Sequence, residues 1–258
     1  MPKKFVSDFN VTENIALNET NSLIRLHTSV TLPQILPGQF VNVEIKTAGI
    51  FLRRPFSVFE VDYHQNTISL IVKILGRGSA KLAKIETGTS LSIMYPLGRH
   101  FTFPDKQEKV LAVGGGSGLA PMLFLVRESG LPAANVDIII GAKSASDHVD
   151  ISSYSNFGNI HLTTDDGSLA VKGFVTQHPL FSKLENYDRI YACGPDGMMR
   201  AVAKKAKSAG VFCEVSLENL MPCGFGVCLC CIEPTVNGNV CVCTEGPVFN
   251  INDLKWQI

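Results

Sequence analysis

Six of the chain's eight cysteines fall between Cys223 and Cys243, and no other feature of its 258 residues restricts the fold so tightly. Three of them are spaced Cys223-x4-Cys228-x2-Cys231, the spacing of plant-type [2Fe-2S] loops, which take a fourth thiolate from further along the chain. Gly224 and Gly226 suit a loop that must wrap its main-chain N–H groups around sulfide. Cys241 and Cys243 are both placed to supply the fourth ligand, and Cys230 is surplus. A structural zinc site is more usually built from paired C-x2-C knuckles, and this chain has one beside a C-x4-C. A disulfide framework goes with an export signal and widely spread cysteines. The start, Met-Pro-Lys-Lys-Phe-Val-Ser-Asp, turns polar too early for the apolar stretch of such a signal. The expectation is therefore a cytoplasmic protein. No run approaches the ~20 apolar residues of a membrane-spanning helix. Lys+Arg and Asp+Glu both number 23, so bulk charge favours neither nucleic acid nor an anionic membrane as partner.

Three stretches follow one another along the chain. Residues 4–103 hold short alternating segments at 23–27, 40–45, 67–73 and 90–94, with turns at Pro37-Gly38 and Pro96-Leu97-Gly98. Period-2 alternation at this spacing predicts a small antiparallel barrel. After Phe103-Pro104-Asp105 the pattern changes. Apolar strands at 109–113, 136–141 and 189–194 alternate with helical runs, one ending near Glu128 and one at 198–209. This predicts a parallel sheet covered on both faces. From about 216 the composition shifts again, to the cysteine cluster, with no Lys or Arg between Lys207 and Lys255. The expected fold is multidomain, β and α/β, divided at 1–103, 104–215 and 216–258.

Three further motifs carry chemistry. Arg54-Pro55-Phe56-Ser57, read as closing a strand after Phe51-Leu52-Arg53, offers a guanidinium that forks onto phosphate and a hydroxyl that bonds a planar ring. Alone it reads more readily as an arginine capping a strand before a turn. In Lys73-Ile74-Leu75-Gly76-Arg77-Gly78-Ser79 the glycines let N–H groups approach a pyrophosphate, and Ser79 can cap a short helix at Ala80-Lys81-Leu82. A plain hairpin turn fits the same residues. In the strand–glycine–helix unit at 109–128, Gly114, Gly116 and Gly118 let a dinucleotide pyrophosphate reach a helix N-terminus. The unit is not a strict G-x-G-x-x-G.

Taken in this order, the motifs resemble the ferredoxin–NADP reductase superfamily over nearly the whole chain. Its FAD barrel carries Arg-x-Tyr/Phe-Ser/Thr, matching Arg54, Phe56 and Ser57, and then Gly-x-Gly-Ser/Thr, matching Gly76, Gly78 and Ser79. Its nicotinamide domain opens with Gly-Gly-x-Gly-Ile/Leu-Ala-Pro, matching 115–121, and closes with Cys-Gly-Pro-x-x-Met, matching 193–198. The thiol-rich extension is similar to that of the electron-transfer subunits of type B dihydroorotate dehydrogenases. There the fourth ligand stands a few residues before Gly-Pro-Val-Phe. Cys243-Thr244-Glu245-Gly246-Pro247-Val248-Phe249 fits that register and selects Cys243 over Cys241.

The resemblance implies an antiparallel FAD-binding β-barrel at 1–103, a parallel α/β nicotinamide-binding domain at 104–215 and a small C-terminal [2Fe-2S] lobe at 216–258. It implies cofactor contacts at Arg54, Pro55, Phe56, Ser57, Ile71, Val72, Lys73, Gly78, Ser79, Gly115, Gly116, Gly118, Cys193 and Gly194. The implied cluster ligands are Cys223, Cys228, Cys231 and Cys243. It also implies a relay, with no catalytic residue for dihydroorotate in this chain. A partner FMN-containing catalytic subunit, joined as a heterotetramer of two of each, oxidises dihydroorotate; electrons then pass through the cluster and FAD to NAD+. The single Lys143 and nearby Asp147 after Gly141 point to NAD over NADP, and the gap in Lys and Arg points to an interface. Rival readings are the flavin subunit of a sulfhydrogenase or bifurcating transhydrogenase, and a metal-binding interaction module without activity.

Overall fold

The computed structural model describes residues 3–47 and 49–258; Met1 and Pro2, at the head of the expected barrel, and Ala48 lie outside them. The four alternating segments become β2 (Asn21–His27), β3 (Phe40–Val43), β5 (Thr67–Lys73) and β6 (Ser90–Leu97); β1 (Phe5–Ala16) and β4 (Arg54–Asp62), which the alternation did not single out, complete the set, with helix α1 (Arg77–Ala83) before the last strand. They close into an antiparallel barrel in the order β1-β2-β5-β4-β3-β6. Closure removes the free strand edges that an open sheet would leave. Ile24, Leu26, Ile68, Leu70, Val72 and Ile93 point inward and fill it, each worth about 1.5–3 kcal/mol of burial.

Two local readings need correction. Arg54 opens β4 rather than closing the strand before it. Pro55 has no N–H to give a ladder and so belongs near a strand end, while Phe51 stands 95% exposed outside the strand. Ser79 lies inside the first turn of α1, not at its cap: its Oγ accepts from the N–H groups of Leu75 (2.8 Å) and Gly76 (3.1 Å).

The second half begins with β7 (Val110–Gly115), helix α2 (Leu119–Glu128), β8 (Val136–Ala142), β9 (Asn159–Thr164) and the short β10 (Val171–Lys172). It continues with β11 (Arg189–Cys193), helix α3 (Asp196–Ala209) and β12 (Phe212–Ser216). The last stretch contributes a hairpin, β13 (Ile232–Thr235) and β14 (Gly238–Cys241), a single turn α4 (Val242–Glu245) and β15 (Val248–Asn250). The sheet runs β10-β9-β8-β7-β11-β12-β15. It is parallel as far as β12, but β15 is antiparallel to its neighbour, so the sheet is mixed and the cysteine-rich stretch supplies its edge. The helices cover opposite faces, as their packing partners show: α2 lies over Ile138 and Ile140, α3 over Leu111 and Ile139. Chain order reverses between β7 and β11, and in such sheets the crevice at the carboxyl ends of the strands there is the usual ligand site.

The two halves are tied together by partly buried polar contacts. Glu214 on β12 accepts from the Thr102 N–H (2.9 Å) and hydroxyl (2.7 Å), and the Tyr191 hydroxyl donates to the Thr102 carbonyl (2.7 Å). Arg127 on α2 pairs with Glu60 on β4 at 2.6 Å. Among the described residues no helix is long and apolar enough to cross a membrane.

Candidate functional site

A cleft of about 560 Å³ opens where the barrel faces the carboxyl ends of β7 and β12. Its barrel side holds Phe40, Arg54, Pro55, Phe56, Ser57, Ile71 and Lys73, and the loop into α1 adds Gly76, Arg77, Gly78 and Ser79. Its other side is Ser117, Ala120 and the segment from Ser216 to Met221. Most of the barrel residues expected from the sequence thus meet on one surface. Val72 does not. The alternation of β5 puts Ile71 and Lys73 on the cleft and sends Val72, fully buried, into the barrel core.

Three cations stand around this cleft. Arg54 donates from Nη1 to the carbonyls of Leu52 (2.6 Å) and Arg53 (3.3 Å), which fixes its guanidinium. Neither it nor Lys73 nor Arg77 is paired with a carboxylate among the described residues. A Cβ on Gly78 would come 3.1 Å from Arg54 Nε, so glycine keeps the loop close to that charge. Unpaired cations, close-approaching backbone and an apolar floor fit a dinucleotide with a pyrophosphate.

The glycine turn after β7 works differently from its sequence reading. A Cβ on Gly118 would stand 1.9 Å from the Cys193 carbonyl oxygen, and one on Gly115 2.6 Å from Met198 Sδ. Gly194, at φ 150°, meets the Gly115 carbonyl in the same way at 2.8 Å. These glycines lock the turns after β7 and β11 together. Cys193 is 1% exposed beneath them and does not reach the cleft wall, and burial pushes its thiol well above the usual range. Gly116 alone opens outward, toward Lys73.

Beside Gly116, the Ser117 hydroxyl donates to Glu218 Oε1 at 2.7 Å. Glu218 lines the cleft and is exposed to solvent there. Desolvation raises its pKa, against the opposing Ser117 hydroxyl and Lys73 ammonium. Neither Ser117 nor Glu218 carried a sequence signal as a site residue, because an acid in a loop after a strand has no diagnostic spacing.

Two residues beyond Met221 the thiols begin. The Cys228 thiol donates to Cys223 Sγ at 3.3 Å, and the Cys243 amide donates to Cys231 Sγ at 3.4 Å. Two of the four sulfurs are thus in direct contact, and the third accepts from the main chain of the fourth thiol's residue. Burial alone would push the Cys223 thiol up, but the N–H groups of Cys228, Phe225 and Val227 and the Cys228 thiol outweigh it, and its pKa falls to about 6. Gly224 (φ 74°) and Gly226 (φ 81°) make the left-handed turns in this loop. Burial pushes Cys243 up to about 12. The other thiols turn to carbonyls, Cys241 to Gly226 at 3.8 Å and Cys230 to Cys228 at 3.7 Å. Among the described residues no three His, Cys, Asp or Glu side chains close on a single ion. Thiols gathered on one loop and its return, with amides turned toward their sulfurs, suit a binuclear cluster.

Comparison with known proteins bears on both halves of the site. The family model "Iron-sulfur cluster binding domain of dihydroorotate dehydrogenase B" matches residues 218–255, and "Oxidoreductase FAD-binding domain" matches residues 8–102. A Fusobacterium nucleatum dihydroorotate dehydrogenase B (NAD(+)), electron transfer subunit, is 31% identical over 98% of this chain and 99% of its own length. Its counterpart from Clostridium acetobutylicum is 36% identical over 84% of this chain and 85% of its own. Among solved structures, an NADH-dependent reduced ferredoxin-NADP oxidoreductase superposes with TM-score 0.84 at 26% identity, covering 96% of this chain and 90% of that one. The ferredoxin reductase of carbazole 1,9a-dioxygenase shares the fold, with TM-score 0.70 at 24% identity over 81% of this chain and 67% of that one.

Proposed function

The chain belongs to the family of electron transfer subunits of NAD(+)-dependent dihydroorotate dehydrogenase B, and on that premise we propose that it is the relay between an FMN-containing catalytic subunit and NAD+. One observation carries the reading. The segment 216–223 starts at the nucleotide turn through the Ser117–Glu218 contact, lines the cleft as far as Met221 and ends in the first thiol.

In this reading FAD occupies the cleft and a [2Fe-2S] cluster takes Cys223, Cys228, Cys231 and Cys243. A bound flavin exchanges hydride with nicotinamide on one side and single electrons with the cluster on the other. Arg54, Arg77 and Lys73 hold its pyrophosphate, Ser57 bonds the ring edge, and Phe56 and Ile71 keep water from it. Ser117, Glu218 and Gly116 border the place where nicotinamide approaches. The division into 1–103, 104–215 and 216–258 is supported by family matches at 8–102 and 218–255. A reducing cytoplasm suits eight unpaired cysteines.

The preferred nucleotide is NADH. Ser144, just after β8, donates to Asp147 Oδ2 at 3.0 Å, which sets a carboxylate where a 2′-phosphate would need a cation. KM for NADH should be lower than that for NADPH by about tenfold, the effect of one uncompensated contact of ~1.4 kcal/mol. A lower KM for NADPH in steady-state kinetics would reverse the assignment.

The partner face surrounds the thiol loop. Leu220, Phe225, Val227 and Leu229 are exposed there (79%, 47%, 71% and 59%), while nearby acids are engaged by partners, Glu245 by Arg99 and Glu233 by Asn219 and Trp256. An apolar patch this poor in charge is the kind that partners cover, and two chains with two catalytic subunits form the assembly we favour. The purified chain alone should reduce artificial acceptors with NADH and leave dihydroorotate untouched; adding the FMN subunit should restore that reaction. Phe225→Glu should weaken assembly roughly 30-fold or more, the loss of a ~2 kcal/mol hot spot, with FAD retained. Oxidation of dihydroorotate by the single chain would overturn the relay. The likeness to the bifurcating oxidoreductase favours a second reading, the flavin subunit of another complex, which the identity of the co-purifying partner decides.

A further inference from the structure

Asn42 lies at the middle of β3, fully buried, directly across the ladder from Pro55 of the flavin motif. Its side chain reaches to a segment 180 residues further on. Nδ2 donates to the carbonyl of Met221 at 2.9 Å and to that of Pro222 at 3.4 Å. Met221 is the last cleft-lining residue of its segment, and Cys223 follows Pro222. The orientation of the carboxamide is fixed by chemistry, because two carbonyl acceptors can face only the NH2 end. Its main-chain oxygen is also engaged, by Arg53 Nη1 at 3.3 Å. Gly224, at φ 74°, packs against the same amide: a Cβ there would stand 2.9 Å from Nδ2.

The remaining atom, Oδ1, is buried without a hydrogen-bond partner among the described residues. An unpaired buried acceptor is unfavourable. An apolar side chain would avoid that penalty but would leave the Met221 and Pro222 carbonyls without this donor, so the tie itself is what the asparagine supplies. What an apolar side chain lacks is the pair of N–H donors.

We propose that Asn42 is a positioning residue for electron transfer: it ties the Met221–Pro222 carbonyls to the strand beside the flavin motif and so fixes how Cys223 stands relative to the cleft. The proposal rests on FAD in the cleft and the cluster on the thiols, and it deepens that reading. Cys223 is the cluster thiol joined to the cleft wall by the fewest covalent bonds, so slack at Met221–Pro222 changes the gap an electron must cross. The Lys4 ammonium also reaches this loop, at the Gly224 carbonyl (3.1 Å), but beyond the first thiol, where it does not hold the cleft end.

The test uses the full chain with both cofactors. FAD and iron are measured first, since their absence from the unchanged protein would defeat the functional reading rather than this one. Excess NADH is then mixed in. NADH is oxidised to NAD+ as its hydride reduces the flavin, one electron per chain goes on to reduce a cluster ferric iron to ferrous, and the flavin keeps the rest. In Asn42→Leu we expect unchanged flavin reduction and unchanged cofactor content. Cluster reduction, followed by rapid-freeze EPR, should be at least about tenfold slower, the scale of effect that a small misplacement produces, with a broadened cluster signal. Asn42→Met fills the position with no hydrogen-bond donor and should behave the same. Cluster reduction at the unchanged rate in either variant, with both cofactors bound, would overturn the proposal. Loss of iron from both with FAD retained would overturn it too, because Asn42 would then serve cluster assembly instead of position.

Discussion

Cys243→Ser is expected to strip the protein of nearly all its iron and acid-labile sulfide, while Cys241→Ser leaves both close to the unchanged level. The two positions are separated by one residue, so spacing alone does not choose between them. Their surroundings do. Cys243 is fully buried, and its own amide is on Cys231 Sγ. A serine oxygen there would be a short, hard donor in a closed pocket shaped for sulfur. Cys241 is half-exposed, and its thiol faces the Gly226 carbonyl instead of another sulfur. Serine at Cys223, Cys228 or Cys231 should have the same large effect as at Cys243. Serine at Cys193 or Cys213 should leave iron unchanged, since both lie in the sheet away from the loop. Colorimetric iron and sulfide per chain, with the visible spectrum, measures all of these. Loss of the cluster in Cys241→Ser and its survival in Cys243→Ser would show that the register before Gly246-Pro247 had been misread.

What the sequence revealed follows from the range of each interaction. Four of the six barrel strands, β2, β3, β5 and β6, were legible because a half-buried strand writes its two faces in alternate residues; β5 occupies 67–73, as its alternation predicted. The thiol spacing was legible because a wrapped cluster is built mostly from one short loop. The same alternation that located β5 also turns the Val72 side chain inward, which leaves its main chain as the part able to meet a flavin. β15 was not legible: three residues, Val248–Asn250, are too few to show a period, and their antiparallel pairing with β12 depends on how the chain returns after the thiol loop. Glu218 and Asn42 were hidden for a different reason. Each takes its role from a partner more than a hundred residues away, Ser117 in one case and the Met221 carbonyl in the other. Local sequence carries no trace of such a meeting.

Arg54→Ala should weaken FAD binding by about 10- to 150-fold, so that the purified chain loses its flavin while keeping its iron. The reasoning starts from what Arg54 does without a ligand. It is half-buried, forms no ion pair among the described residues, and has its guanidinium braced by the Leu52 and Arg53 carbonyls. Bracing lowers the entropy lost when it grips a phosphate, and the absence of a carboxylate leaves its charge free to do so. Removing a charge-assisted hydrogen-bonding group of this kind costs roughly 1.5–3 kcal/mol, which is the range of affinity given. The barrel itself should not suffer, because its core is the apolar interior and Arg54 lies outside it. Arg54→Lys should fall between, keeping the charge but losing the planar fork. Ser57→Ala should retain more flavin than Arg54→Ala yet slow its reduction by NADH, since a lost ring contact affects orientation more than affinity. Equilibrium titration of flavin-free protein with FAD, read by fluorescence quenching, gives the affinities, and iron content in the same samples serves as the internal control. Full flavin occupancy and normal activity in Arg54→Ala would move the pyrophosphate to Lys73 and Arg77 and leave the Arg54 motif a structural strand start.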